Sequence, residues 1–454
     1  MKFGTALVSS LILFLLIVSG CSAAPAATSP DPVAAQAPAA TAPAQPAEPQ
    51  KALEISFWYA GGKTAVDVLA GIIDEFNQSQ NAFHVSAVTQ ADYTETYQKL
   101  QAAIAGGNAP DLVLLNPDSA QNLGAKSLIE DLRPLMDSDP SFAKDDYVEA
   151  FTKSAKLGNG VIYGIPAYGT TQVLYYNIAA FERSNIDPSS IKTWQDLGEA
   201  ARKMAVIENG ETVFYGWEPM YGLVNLIDAS LSNGAKLFSD DGTKVLVNSP
   251  EWVEVWEQFR VWIHDEKIMG IHYGGQGWEY WYKTIDDVIQ DKAGGYTGSA
   301  GDQADLDFSK VAALEQPGFG SNPSAPLAEG LFLAIPNRDK RELAQGAFEF
   351  MKFFTSPESQ AKWTLGTGYV AVRKSTLEVP EFKAYAAENP QILVPLQQVQ
   401  HGTPSSVDPT GGLVLYALNV AADKVEIENI SAQEALDEAQ AAGQEALDEI
   451  LAGQ

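Results

Sequence analysis

Between Leu53 and Leu115 the hydrophobic period of the chain keeps switching between that of a strand and that of a helix. Glu54-Ile55-Ser56-Phe57-Trp58-Tyr59 reads as a strand and stops at Gly61-Gly62. From Thr64 to Gln78 the apolar residues Val68, Ile72, Ile73 and Phe76 fall at helical spacing. His84 to Val88 alternates as a strand does, and Tyr97, Leu100, Ile104 and Ala105 mark a second helix that ends at Gly106-Gly107. Asp111-Leu112-Val113-Leu114-Leu115 is a short apolar run suited to a strand buried on both faces. A β-α-β-α-β order implies a parallel sheet with helices on its faces, hence an α/β fold. Ligands of such sheets bind at the carboxyl ends of the strands, here Tyr59 to Gly62 and Asn116 to Ser119.

The same grammar continues. Val173-Leu174-Tyr175-Tyr176-Asn177 is a strand, and Trp194 to Met204 a helix with Thr193 as its cap. Pro250 opens a helix at the position where proline is favourable. The stripe Trp252, Val255, Trp256, Phe259, Trp262 and Ile263 on it is expected to be core. Ser431 and Glu434 have capping-box spacing. The hexapeptide Gln-Glu-Ala-Leu-Asp-Glu, at 433–438 and again at 444–449, implies one amphipathic helix or a helical hairpin.

The N-terminus sets the compartment. Lys2 precedes an apolar run from Leu11 to Val18 that closes in Ser19-Gly20-Cys21, the pattern of a secretory signal over residues 1–20. Val18-Ser19-Gly20-Cys21 resembles the bacterial lipobox, which implies that Cys21 is lipidated and becomes the first mature residue. The alternative is an uncleaved anchor, since Phe3 to Gly20 is close to the shortest span. Ser22 to Gln50 is almost all Ala, Pro, Thr, Ser and Gln and cannot bury a core, so residues 21–52 read as a disordered tether. The body that follows is expected to be lipid-anchored outside the cytoplasmic membrane, at the cell surface or in the periplasm. With 29 Lys plus Arg against 58 Asp plus Glu, the net charge of −29 argues against nucleic acid, and against anionic lipid as an adhesive surface. One Cys excludes an internal disulfide framework and a cysteine zinc cluster.

Several segments, taken in order, resemble one family: Gly107-Asn108-Ala109-Pro110-Asp111-Leu112, Ile165-Pro166, Val173 to Asn177, Thr193-Trp194-Gln195-Asp196-Leu197 and Thr367-Gly368-Tyr369. The set is similar to the extracellular solute-binding proteins of family 1, which serve ABC importers. The stretch 173–197 looks most like the glycerol-3-phosphate-binding branch. The resemblance implies a two-lobe, periplasmic-binding-protein-like fold with ligand in the cleft between lobes. It places lobe 1 at 53–166 plus 293–340 and lobe 2 at 167–292 plus 341–454. The first crossover would lie near Pro166–Gly169, and the return near Ala293–Ala334.

The same resemblance implies a ligand set. Tyr93, Thr170, Ser299 and Tyr369 match contact positions of the branch, and Trp217 falls near its aromatic platform. Trp278 and Trp281 flank a Gly-rich stretch and are added as candidate cleft rings. Asn116 and Asp118 neighbour Pro117, which stands where the branch has an acid. Glu329 stands where the branch has Gly, and no Arg occurs after Arg373, where the branch uses one for phosphate. A carboxylate repels phosphate and accepts hydrogen bonds from sugar hydroxyls, so a neutral carbohydrate is favoured over glycerol phosphate. The expected partners are a carbohydrate and the permease subunits of an ABC importer, with the body a monomer. A glycerol-3-phosphate or glycerophosphodiester binder is the alternative in the same class, and a secreted glycoside hydrolase the alternative outside it. No Gly-x-Ser-x-Gly, His-Glu-x-x-His or phosphate-loop pattern occurs, so no catalysis is expected. Neither cofactor nor metal is expected, His264, Asp265, Glu266 and His272 being read as a solvated polar turn.

Overall fold

The computed structural model describes residues 51–153, 155–156, 160–275, 278–338, 340–406 and 408–452. The expected signal sequence, Cys21 and the tether up to residue 50 lie outside the described residues. The strands are β1 (Leu53–Ala60), β2 (Phe83–Gln90), β3 (Leu112–Leu115), β4 (Ile165–Thr170), β5 (Gln172–Asn177), β6 (Val206–Glu208), β7 (Glu211–Phe214), β8 (Glu218–Pro219), β9 (Gly295–Ser299), β10 (Val311–Leu314), β11 (Leu327–Ala334) and β12 (Thr403–Pro404).

The first sheet runs β12-β11-β3-β1-β2, with β4 also paired to β11. β1 is parallel to both β2 and β3, as the alternation at the start of the body requires. β11 joins antiparallel to β3 and to β4. β3 is buried at every position, which is why its sequence is a continuous apolar run. On one face Ile55, Phe57 and Tyr59 pack against helices Lys63–Ser79 and Arg341–Phe354, through Ile72, Phe76, Phe350 and Phe354. The other face is closed by Leu100, Ala103, Leu123 and Tyr163.

The second sheet runs β10-β5-β9-β8. Its core is rich in tryptophan: Trp194, Trp217, Trp252, Trp256 and Trp262 are each at most 2% exposed. Thr193 and Asp196 form a reciprocal capping box that starts helix Trp194–Met204. Helix Pro250–Arg260 continues into a widened turn, Val261–Asp265, which keeps Trp262 on the buried side. The repeated hexapeptide lies on a single helix, Ala432–Ala452, packed against helices Pro250–Arg260 and Leu413–Glu426.

The lobe boundaries differ from expectation in two places. Residues 293–314 stay in the second half, because β9 and β10 both pair with β5. The return to the first sheet comes with β11. Residues 341–372 belong to the first half, because Phe348, Phe350, Met351, Phe354 and Trp363 fill the β1 face. Val394 packs on the other face of the second sheet, and the helices from Leu413 onward join the tryptophan core.

The crossings meet in one buried knot of hydrogen bonds. The Thr171 hydroxyl donates to Leu327 O at 2.7 Å, and Gln398 Nε2 donates to Thr171 Oγ1 at 2.6 Å. Gln316 N donates to Gln398 Oε1 at 2.6 Å, and Gln316 Nε2 to Gln172 O at 2.9 Å and to Asp228 Oδ2 at 2.6 Å. Thr171, Gln316, Gln398 and Asp228 are all buried, and they bond mainly to one another and to the crossing backbone, with Gln316 Oε1 left without a partner.

The candidate ligand cleft

Residues from both halves converge beside this knot. In the first half, Asp92 caps helix Tyr93–Ala105 by accepting from Glu95 N at 2.6 Å, which sets Tyr93 as the first helical residue. The Tyr93 hydroxyl lies 3.1 Å from that of Tyr168 on β4. Gly368, at φ 81°, ends helix Pro357–Thr367 in the left-handed conformation. That turn lays the Tyr369 ring against Tyr168 (centroids 4.7 Å apart) and nearly parallel to Trp363 (6.2 Å, 12°). The second half comes up against the same ring: a Cβ on Gly301 would stand 2.6 Å from Tyr369 Cζ, so only glycine permits this approach.

Hydroxyls bridge the halves next to the rings. Thr170 Oγ1 at the end of β4 lies 3.3 Å from Ser299 Oγ at the end of β9, and Ser299 Oγ accepts from Gly301 N at 3.1 Å. Thr170 is the register partner of Glu329 on β11, whose carboxylate accepts from Ser405 Oγ at 3.1 Å. Tyr93, Thr170, Ser299, Glu329 and Tyr369 sit deep between the halves, yet each keeps part of its surface open to water. That is the state expected of groups that line a cleft rather than fill a core.

Carboxylates dominate the charge. Asp118, in the first turn of helix Pro117–Ala125, is pushed up to about 7 by burial and by the neighbouring Glu329 and Asp408. Burial raises Glu329 as well. Asp302 is pushed up to about 8 by burial, although Trp281 Nε1 donates to its Oδ1 at 2.8 Å. Among the described residues no lysine or arginine forms an ion pair with Asp118, Asp302, Glu329 or Asp408.

The remaining expected residues are placed as follows. Asn116 caps helix Pro117–Ala125, its side chain accepting from Ser119 N at 3.1 Å, so its oxygen has a structural partner. Trp281 is half-buried, and its ring meets Trp278 edge-on at 5.8 Å. Trp278 is 50% exposed. Trp217 is corrected: it is 0% exposed, packed in the tryptophan core with Nε1 donating to Thr297 Oγ1 at 3.0 Å, and presents no face to the cleft. Asp302, Ser405 and Asp408 were missed, as was Tyr168, which at 1% exposed backs the Tyr369 ring from the core together with Trp363. Tyr168 sits inside the quoted stretch between Ile165 and Thr170 and was within reach; a lone carboxylate such as Asp302 carries no periodic signal.

An α/β body whose two halves direct rings, hydroxyls and carboxylates into the space between them is a solute-capturing protein. The chain belongs to the bacterial extracellular solute-binding proteins, whose family model matches residues 71–390. It is 24% identical over 363 residues to the sn-glycerol-3-phosphate-binding periplasmic protein UgpB of Yersinia enterocolitica, covering 77% of this chain and 81% of that one. It is 23% identical over 361 residues to UgpB of Salmonella typhimurium, with the same coverage. Among solved structures, UgpB of Mycobacterium tuberculosis in complex with glycerophosphocholine superposes with a TM-score of 0.77 at 20% identity, covering 88% of this chain and 99% of that one. A substrate-binding protein of Listeria monocytogenes in complex with cycloalternan gives 0.76 at 18%, covering 88% and 100%. These likenesses show the two-lobe fold.

Proposed function

We propose that the protein captures a neutral carbohydrate between its halves and hands it to the permease subunits of an ABC importer, acting as a monomer held at the membrane by a lipid on Cys21. The observation that carries the carbohydrate reading is the charge of the cleft. Asp118, Glu329, Asp302 and Asp408 gather there without a cationic partner among the described residues. A phosphate monoester would find no guanidinium among these groups to replace its water, and the burial that raises Asp118, Asp302 and Glu329 disfavours any anion placed beside them. Sugar hydroxyls, by contrast, are donors that such carboxylates accept, while Tyr93, Tyr369 and Trp281 offer rings to C–H faces. Delivery to an importer, and closure of the halves around ligand, rest on kinship with the curated relatives.

The second reading, a glycerophosphodiester, is favoured by the names of those relatives and by the glycerophosphocholine complex of the mycobacterial neighbour. A thermal-shift screen of the full chain separates the two. A neutral oligosaccharide at about 100 times its dissociation constant stabilises the protein by about 2.7 kcal/mol. Stabilisation by glycerophosphocholine or glycerol 3-phosphate alone, steeply weakened by salt, would overturn the carbohydrate reading. For the anchor, Cys21→Ser is expected to release the body or leave an unprocessed precursor. Wild-type processing and membrane retention in that variant would remove the lipid from the proposal.

A further inference from the structure

On the far side of the second sheet from Trp217, next along β8, lies Glu218. Successive strand residues point to opposite faces, so Trp217 enters the tryptophan core while Glu218 faces helix Glu279–Ile289 and the loop that carries His272. Glu218, His272 and Asp287 bring one ligand atom each to within 4.8 Å of one another. His272 Nε2 lies 2.9 Å from Asp287 Oδ2 and 3.5 Å from a Glu218 oxygen. Glu218 is 2% and Asp287 6% exposed, yet Glu218 Oε2 and Asp287 Oδ1 have no hydrogen-bond partner. Two cations touch the cluster from its rim: Lys283 Nζ contacts Asp287 Oδ2, and Lys292 Nζ stands 3.9 Å from Asp287 Oδ1. Both lysines are more than half exposed, and neither reaches Glu218.

From this arrangement we infer that Glu218, His272 and Asp287 bind a divalent transition-metal ion of the zinc type, a site that departs from the expectation of no metal. A buried carboxylate with an unpartnered oxygen is costly, and a cation held between Glu218 and Asp287 would balance the two buried carboxylates that His272 now bridges. One imidazole nitrogen with two carboxylates suits zinc-like ions, whereas calcium and magnesium prefer all-oxygen sets. Zn–N and Zn–O bonds of about 2.0–2.2 Å require the donors to draw in from their present spacing, and Lys283 to swing outward into solvent. The Nε2 proton of His272 leaves to solvent when the metal binds. Three protein ligands leave a fourth position for water. The ion would tie the start of β8 and the 268–275 loop to helix Glu279–Ile289, the helix that carries Trp281 beside Asp302. Its role is therefore to hold that wall of the cleft, whichever solute the cleft takes.

Calorimetric titration of Zn²⁺ into the chelator-stripped full-length chain tests this. One equivalent is expected to bind, with Glu218→Gln and His272→Gln each weakening it by more than about tenfold. Lys283→Ala is expected to leave binding unchanged or tighter, because it removes a competing cation. Zn²⁺ is also expected to raise the melting temperature of the wild type and not that of His272→Gln. His272 is on the surface side of the cluster, so this variant remains informative if Glu218→Gln fails to fold. Absence of stoichiometric binding would overturn the site. So would binding that survives His272→Gln and is lost in His401→Gln, where His401 pairs with the exposed Glu315.

Discussion

The second half of the molecule uses tryptophan in two opposite ways. Trp194, Trp217, Trp252, Trp256 and Trp262 are sealed in its core, while Trp278 is 50% exposed and Trp281 is partly exposed. The residue type is the same, and what differs is how far the packing around each ring closes. Trp217 donates to the buried Thr297 hydroxyl and Trp252 to the Lys236 carbonyl, both within one half. Trp281 donates to Asp302, whose neighbours include the rings that arrive from the first half. A core ring is fixed by packing on every side; Trp281 is aimed by one hydrogen bond and stays partly exposed.

The largest expected effect breaks this comparison at its core end. Trp217→Ala should cost about 3–5 kcal/mol of stability in the unliganded protein. Folded Trp217→Ala protein should bind solute with unchanged affinity. Lost affinity at an unchanged melting temperature would move Trp217 back to the cleft. Tyr369→Ala should do the reverse. It should weaken solute binding by about 1–3 kcal/mol, the worth of a ring face covering C–H surface. Its effect on the unliganded protein should be smaller, because Tyr369 is only partly buried. Equal affinity of wild type and variant would mean that Tyr369 only supports Trp363 and Tyr168.

How far the sequence could foresee this divide follows from what each half uses as its signal. The strands and helices from Leu53 to Leu115, the cap at Thr193 and the tryptophan stripe after Pro250 are local patterns, and they fold as their periods require. The lobe boundaries are not local. β9 belongs with β5 because their side chains and backbones pair across 120 residues of chain, and no period near Ala293 announces that partner. Tyr93, Thr170, Ser299 and Tyr369 were carried over from the resemblance, and the structure brings all of them to one place. Trp217 was misplaced because neighbouring strand residues face opposite ways, and the register of so short a strand as β8 cannot be read from its own sequence. The cluster of Glu218, His272 and Asp287 escaped for the same reason: its members meet only through the sheet and helix that carry them.

The carboxylate that aims Trp281 gives a pH test of the cleft end. Asp302 has a folded value of about 8 against an ordinary 3.8. Below about pH 4 it is protonated in both states, and its favourable share of stability is complete. As pH rises, the unfolded state ionises first, so that share is lost progressively up to about pH 8. Asp228 and Glu426, each pushed to about 8 by burial, add in the same direction. Asp302→Asn should therefore flatten the fall in unliganded stability between pH 4 and pH 8, by on the order of 1–2 kcal/mol once local water is allowed for. An identical slope in wild type and variant would mean that Asp302 does not titrate in this window.

The smallest effect belongs to the most exposed ring. Trp278 borders a hollow of about 460 Å³ with Tyr282, Lys283 and Asp286, and its own ring meets that of Trp281 edge-on. Trp278→Ala should leave unliganded stability within about 0.5 kcal/mol of wild type, as exposed positions do. Its influence on binding should scale with the length of the sugar. A solute confined to the Tyr93–Tyr369 end should bind equally well to both proteins. A longer oligosaccharide that reaches the hollow should lose a few-fold in affinity, on the order of 0.5–1.5 kcal/mol for one partly covered ring. Titrating a series of oligosaccharides of increasing length against wild type and Trp278→Ala measures this directly. A length-independent loss would place Trp278 in the central cleft with Tyr369. A loss of stability without any loss of binding would make it a second-half packing residue like Trp217, and would move the divide between core and cleft tryptophans to the outer end of helix Glu279–Ile289.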